Sequence, residues 1–260
     1  MNFKVLGRDA YVYTGGHALD AKKQSLLFIH GGEQDHSAWA LQSRYFAYHG
    51  YNVLVPDLPG HGRSAGPPLA TIAALADWIA ELLNSTHIQQ AAIAGHSMGA
   101  LIALELAMRA PQHVNKLALL GSSVPMPVAA PLLEAAQKND HAALEMINAW
   151  SHSARAHVGG NIVPGYWMLG ANMRLMERQA NGVLYADFKA CNDYAPAAIA
   201  NIDCPVLMIA GSRDQMTPLV ATRELQRRIP RTRLIVLEGA GHALMAEQPD
   251  AVLDALIEFF

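Results

Sequence analysis

Short runs of consecutive apolar residues alternate along this chain with longer stretches in which apolar positions recur every three or four residues. The runs are Leu26–Ile29, Val53–Val55, Ala91–Ala94, Leu117–Leu120, Val206–Ile209 and Leu234–Leu237. None of them alternates with polar residues, which is the pattern of strands covered on both faces, as in a parallel sheet flanked by helices. The stretches between them predict helices near 38–49, 69–84, 98–110, 217–229 and 249–259. In the last of these, Val252, Leu253, Leu256 and Phe259 share one face and Asp250 stands near the start. Alternation of this kind implies an α/β architecture with a mostly parallel central sheet and right-handed crossovers. Segments 2–6 and 10–14 predict an antiparallel edge pair turning near Gly7-Arg8-Asp9.

The alternation breaks between about 122 and 200. Helical periodicity continues there near 128–138, 140–152, 165–180 and 183–194, with no strand. A stretch so long is a helical insertion and not a loop. The chain therefore divides into an α/β core formed by 1–121 and 201–260 and a helical unit formed by 122–200. Trp150, Tyr166, Trp167, Met168, Met173, Met176, Tyr185, Phe188 and Tyr194 lie in the insertion. Such residues can pack the insertion's own small core. Alternatively, Trp150, Tyr166, Trp167, Met168 and Met176 line a ligand pocket that the insertion roofs, since apolar pockets favour domain interfaces.

Composition narrows the partners. At 260 residues, 52% hydrophobic and 16% charged, the chain is too apolar to be disordered and large enough to bury a core without disulfides or a structural metal. Nineteen basic against 22 acidic residues give a net charge of −3 with no basic cluster, which excludes nucleic acid as an expected partner. Cys191 and Cys204 form no disulfide framework and suit a reducing cytosol. The start, Met1-Asn2-Phe3-Lys4-Val5, lacks a signal-peptide pattern. The most membrane-like stretch, 91–108, is interrupted by Gly95, His96, Ser97, Gly99 and Glu105. The expectation is a soluble, cytoplasmic protein without a membrane partner. His30 with His36, and His152 with His157, lack the further ligands of a metal site. No dinucleotide fingerprint or phosphate loop follows the first strand, so no cofactor is expected.

Gly95-His96-Ser97-Met98-Gly99 is a G-x-S-x-G match. The motif alone is weak, but here it follows an apolar run and opens a helical pattern, the strand-turn-helix setting of a nucleophile elbow. Glycine is needed on both sides because the strained turn leaves no room for side chains. A serine hydroxyl needs a neighbouring base. Among twelve histidines, His242 follows the last apolar run, which places its loop at the same carboxyl edge of the sheet as the elbow. His96 is held by the elbow itself and points elsewhere, and His30 ends a strand and bonds locally. A carboxylate must orient the imidazole. Asp214, in Gly211-Ser212-Arg213-Asp214, also lies beyond a strand's carboxyl end, whereas Asp203 precedes that strand. The N–H groups of Met98 and of Gly32, in His30-Gly31-Gly32-Glu33, are the candidate donors to an oxyanion.

With these residues in place, the chain resembles the α/β-hydrolase superfamily, and within it the lidded esterase and lactonase-like members. The resemblance spans nearly the whole chain. It is carried by His30-Gly31-Gly32 with Trp39, by Pro56-Asp57-Leu58-Pro59-Gly60-His61-Gly62-Arg63-Ser64, by the elbow, by Gly211-Ser212-Arg213-Asp214 and by Gly241-His242. It implies an α/β-hydrolase fold with a cap over the site at 122–200, a Ser97–Asp214–His242 triad and an oxyanion hole at Gly32 and Met98. The segment Asp57–Ser64 would be structural. The implied activity is cofactor-free hydrolysis of a small, fairly apolar ester or lactone. Enol-lactone, thioester or C–C bond hydrolysis, or slow-turnover ligand sensing, are the alternatives the resemblance leaves open. Ser97, standing where other members carry aspartate, argues against dehalogenase and epoxide hydrolase chemistry.

Overall fold

Eight strands build one sheet in the computed structural model, which describes residues 1–160, 162–163, 165–196 and 199–260. They are β1 (Asn2–Val5), β2 (Arg8–Tyr13), β3 (Ser25–Ile29), β4 (Asn52–Pro56), β5 (Ala91–His96), β6 (Val114–Leu120), β7 (Val206–Gly211) and β8 (Thr232–Leu237). Their order across the sheet is β1-β2-β4-β3-β5-β6-β7-β8. β1 and β2 pair antiparallel, β2 joins β4 antiparallel, and every other pairing is parallel. The first hairpin turns at Leu6-Gly7, with φ of 48° and 77°, and not at Gly7-Arg8-Asp9. A two-residue turn with both residues left-handed matches the twist of the strands, and it lets β2 begin at once at Arg8.

The uninterrupted apolar runs have a simple cause. Leu27, Ile29, Ile93, Leu117, Leu119 and Met208 face one apolar core. Leu26, Phe28, Ala92, Ala94, Leu120 and Ile209 face the other. Successive side chains on a strand point to opposite faces, so both sets must be apolar when helices cover both. On the first face lie α2 (Ile72–Ser85) and α3 (Met98–Arg109), and on the second α1 (Ala40–Tyr48) and α11 (Pro249–Phe259). Trp39 and Phe46 stack against Phe28, 5.1 and 5.8 Å between ring centroids, anchoring α1. The helix expected from 69 begins at Ile72, because Thr71 caps it by accepting the Ala74 N–H at 3.1 Å.

Between β6 and β7 run α4 (Ala130–Gln137), α5 (Ala142–Ser151), α6 (Ala154–His157), α7 (Met168–Met176) and α8 (Val183–Asn192). They enclose their own small core, with Leu132, Ile147, Met176, Leu184 and Phe188 at its centre. The third helical stretch, expected over 165–180, is therefore confined to 168–176, and α6 is an extra turn. After β7 come α9 (Leu219–Arg228) and, after β8, the single turn α10 (Leu244–Glu247) ahead of α11. Among the described residues, no helix is long and apolar enough to cross a membrane.

Candidate active site

β5 ends at His96 and α3 begins at Met98, so the whole reversal falls on Ser97, with φ 54° and ψ −119°. A non-glycine residue held there costs on the order of 1–3 kcal/mol and persists only when its surroundings over-determine it. Here they do. A Cβ on Gly95 would drive into the Gly99 carbonyl, and one on Gly99 into the carbonyls of Ile29 and His30, so both glycines let strand and helix close around the serine. The Ser97 N–H donates to the Leu120 carbonyl at 2.9 Å and ties the turn to β6.

His242 lies in the loop between β8 and α10. Its Nδ1 is 2.8 Å from Oδ2 of Asp214. Its backbone N–H donates to the Ser151 carbonyl at 2.8 Å, and its carbonyl accepts from Nε2 of His96 at 2.9 Å. The ring presses on Gly121, where an added Cβ would come within 3.0 Å of Cε1. The imidazole is thus braced against the residue preceding Ser97 and against the strand end that Ser97 bonds. Asp214, just past β7, accepts the N–H groups of Met216 and Thr217, both at 2.8 Å, and the Thr217 hydroxyl at 2.7 Å. Burial works against its charge, yet His242 and the bonds from Thr217 hold the carboxyl below the ordinary carboxylate range. Asp203 sits at the other end of β7, exposed and 3.5 Å from Arg231.

The other histidines near the strand ends are engaged elsewhere. His96 is fully enclosed, and burial together with the neighbouring His242 pushes it down to about 3. His30 accepts the Leu58 N–H on Nε2 at 3.1 Å and donates from Nδ1 to the Gly31 carbonyl at 2.8 Å. Burial and His61 push it down to about 4. Among the described residues, one group of His and carboxylate ligand atoms lies within 4.8 Å, that of Asp35, His36 and Asp57. Those carboxylates already accept from the backbones of His36, Ser37 and Arg63 and from the Arg178 side chain, so they brace the loops after β3 and β4.

Ser97 opens on a cavity of about 120 Å³ that also holds Gly32, Met98, Trp150, Phe188 and Met216 on its walls. Gly32 and Met98 therefore meet at the serine, from the ends of β3 and β5. Of the five insertion residues expected to line a pocket, only Trp150 reaches this one. Tyr166 and Met168 border a separate groove of about 380 Å³ beside Leu41 and Arg178. Met176 is in the insertion's own core, and Trp167 is 74% exposed with its ring over Gly170. The reason is packing: α7 docks on α5, which turns its side chains away from Ser97, while α8 and the segment leading into α4 form the roof. Met126 and Pro127 were missed for that role because nothing periodic marks the segment before the 128–138 stretch, and Val128 and Leu132 because helical periodicity does not say which neighbour a face meets. Phe188 was visible only as one aromatic among several in the insertion.

The sequence matches the alpha/beta hydrolase family over residues 26–255. It is 26% identical over 241 residues to the (E)-2-((N-methylformamido)methylene)succinate hydrolase of Acinetobacter baylyi, covering 90% of this chain and 89% of that one. The fold is similar to that of an enol-lactonase from Burkholderia xenovorans, with a TM-score of 0.85 at 21% identity over 100% of this chain and 99% of that one. It is equally similar to that of a thermophilic esterase from Thermogutta terrifontis, at 0.85 and 20% identity over 99% and 96%.

Proposed function

The chain belongs to the alpha/beta hydrolase family, and on that premise we propose that it is a serine hydrolase cleaving a small, fairly apolar carboxylic ester or lactone through an acyl-enzyme on Ser97. The observation that carries this reading is the His242–Asp214 pair at 2.8 Å, braced beside a strained serine that opens on an apolar cavity. Ser97 attacks the carbonyl carbon while His242 takes its proton and then gives it to the leaving alkoxide. Asp214, fixed by Met216 and Thr217, holds the imidazole with Nδ1 protonated and stabilises the imidazolium. The N–H groups of Gly32 and Met98 hold the oxyanion. Water, activated by the same His242, then releases the acid.

The cavity supports a short acyl group: about 120 Å³ is well below the roughly 300–1,000 Å³ of drug-sized pockets. Helices α4, α5 and α8 act as the cap, with Trp150 and Phe188 as its contact with substrate. The Acinetobacter relative is a hydrolase, which agrees with hydrolysis as the reaction class. Labelling with a fluorophosphonate probe, followed by mass spectrometry, tests the assignment. The parent should carry the adduct on Ser97, and Ser97→Ala should carry none and lose ~10³-fold or more in turnover of short aryl esters. Retained turnover in highly purified Ser97→Ala would overturn it.

A further inference from the structure

Directly behind Gly32 is a buried group of charges that the proposed reaction does not use. Glu33 takes a left-handed conformation, φ 55°, and its N–H donates to Oδ2 of Asp187 on α8 at 2.8 Å. The same oxygen accepts from Nε2 of His61, also at 2.8 Å, while Nδ1 of His61 lies 3.1 Å from the Pro59 carbonyl. Both ring nitrogens of His61 thus face acceptors, so the ring is the doubly protonated imidazolium and Asp187 its carboxylate partner. Glu33, Asp187 and His61 are each no more than 5% exposed. Among the described residues, Oε2 of Glu33 and Oδ1 of Asp187 are both buried without a donor. Two carboxylates against one imidazolium would leave a buried anion without a donor, which is strongly unfavourable. A proton on Glu33 removes that charge.

We propose that Glu33 is held as the neutral acid beside the Asp187–His61 ion pair, and that this uncharged side chain lets the Glu33 N–H bond to Asp187 clamp α8 onto the Gly32-Glu33 turn and so position the Gly32 N–H. Both α8 residues lie against Gly32. A Cβ there would lie 3.5 Å from Oδ2 of Asp187 and 3.2 Å from Phe188, whose ring lines the cavity at Ser97. One turn of α8 therefore presents Phe188 to the substrate cavity and Asp187 to the turn. The charged and titratable neighbours agree with a protonated Glu33. Burial and the charge of Asp187 push Glu33 up to about 8, with His61 acting the other way. His61 itself is raised to about 9 because Asp187 outweighs its burial. His30 packs against His61, 5.0 Å between ring centroids and tilted by 55°, and is neutral, and Cys191 one turn along α8 is held as the thiol by burial and Asp187. Across a cavity of about 200 Å³ on which Glu33 also borders lie Asp140, His141 and Glu177. Glu33 and Asp187 are positioning residues: when Glu33 ionises, two like charges meet behind Gly32 and the clamp loosens.

The effect on turnover rests on the reading of Gly32 as an oxyanion donor, whereas the proton on Glu33 does not. Infrared spectroscopy of the carboxyl C=O stretch tests the proton without any substrate. The parent should show a protonated-carboxyl band at pH 6.5 that disappears as the pH passes 9; Glu33→Gln should lack it, and in Asp187→Asn it should disappear at a lower pH. For turnover, kcat of the parent should fall about fourfold between pH 7 and pH 8.5 at constant KM, the loss set by a group titrating near 8. In Glu33→Gln the ratio of kcat at pH 8.5 to that at pH 7 should not fall, because the amide keeps a donor and cannot ionise. A parent without the band, a band that survives in Glu33→Gln, or an alkaline fall unchanged in that variant overturns the proposal. A band of the expected behaviour in a protein that neither hydrolyses esters nor labels on Ser97 would leave the pair intact and overturn the hydrolase reading.

Discussion

At the scale of single residues, the site depends on how few conformations are left to it. Ser97 is strained, His242 is wedged against Gly121, and Asp214 has its oxygens taken by Met216, Thr217 and His242. Asp214→Asn should keep this packing but offer an amide to Nδ1, stabilising the wrong tautomer of His242. We expect a loss of about 10⁴-fold in kcat with little change in KM, as in triads where the orienting acid is amidated. Steady-state kinetics beside an unchanged circular dichroism spectrum would show it; a loss below tenfold would mean that His242 is oriented by something other than Asp214.

At the scale of elements, the insertion has two kinds of contact with the core. α8 approaches the serine through Phe188, and α5 does so through Trp150, while α7 packs on α5 and borders the outer groove. Truncating Trp150 or Phe188 to alanine should therefore enlarge the space at Ser97 and shift preference towards longer acyl chains. A contact of one methylene is worth ~1–3 kcal/mol of discrimination, so ratios of kcat/KM for hexanoyl over acetyl esters should change by tenfold or more. Met168→Ala and Tyr166→Ala should leave that ratio where it is. If all four variants lower the melting temperature and none moves the ratio, the insertion does not select the acyl group. The difference between these residues was not legible in the sequence, because each helix of the insertion is amphipathic and the pattern does not say which neighbour its apolar face meets.

At the scale of the whole molecule, buried titratable groups set a pH window for stability. His30 and His96, pushed down to about 4 and about 3 chiefly by burial, are neutral when folded and would titrate near their ordinary value when unfolded. Their contribution is complete above about pH 6.5 and is lost as the pH falls towards those folded values. Glu33 and His61, raised to about 8 and about 9, act in the opposite sense. Glu33 contributes fully below its ordinary range and loses that contribution as the pH climbs to 8; His61 does so between its ordinary value and about 9. The two pairs balance at about pH 6, where the melting temperature should peak. Calorimetry from pH 4 to 9 tests this, and Glu33→Gln, which removes a contribution lost from about pH 4.5 upward, should steepen the acid side, flatten the alkaline side and move the peak to higher pH. A melting temperature still rising at pH 8 would contradict it.

What the sequence determined by itself is whatever is written in short-range pattern. Unbroken apolar runs marked the six parallel strands, the inner ones because both sheet faces are covered and β8 although it is half-buried at the edge, and glycine on either side of Ser97 marked the elbow because no larger residue fits so sharp a turn. Ser97, Asp214 and His242 could be placed at one sheet edge because each follows its own strand, and parallel strands bring those ends together. The tertiary structure alone decided what depends on contacts between distant segments. It set which insertion residues reach Ser97, since that follows from α7 docking on α5 and α8 on the core. It also brought Asp187 against Glu33, 154 residues apart, and His61 against Asp187. Neither Glu33 nor Asp187 belongs to a local pattern, and their joint burial exists only once the helical insertion has closed on the sheet.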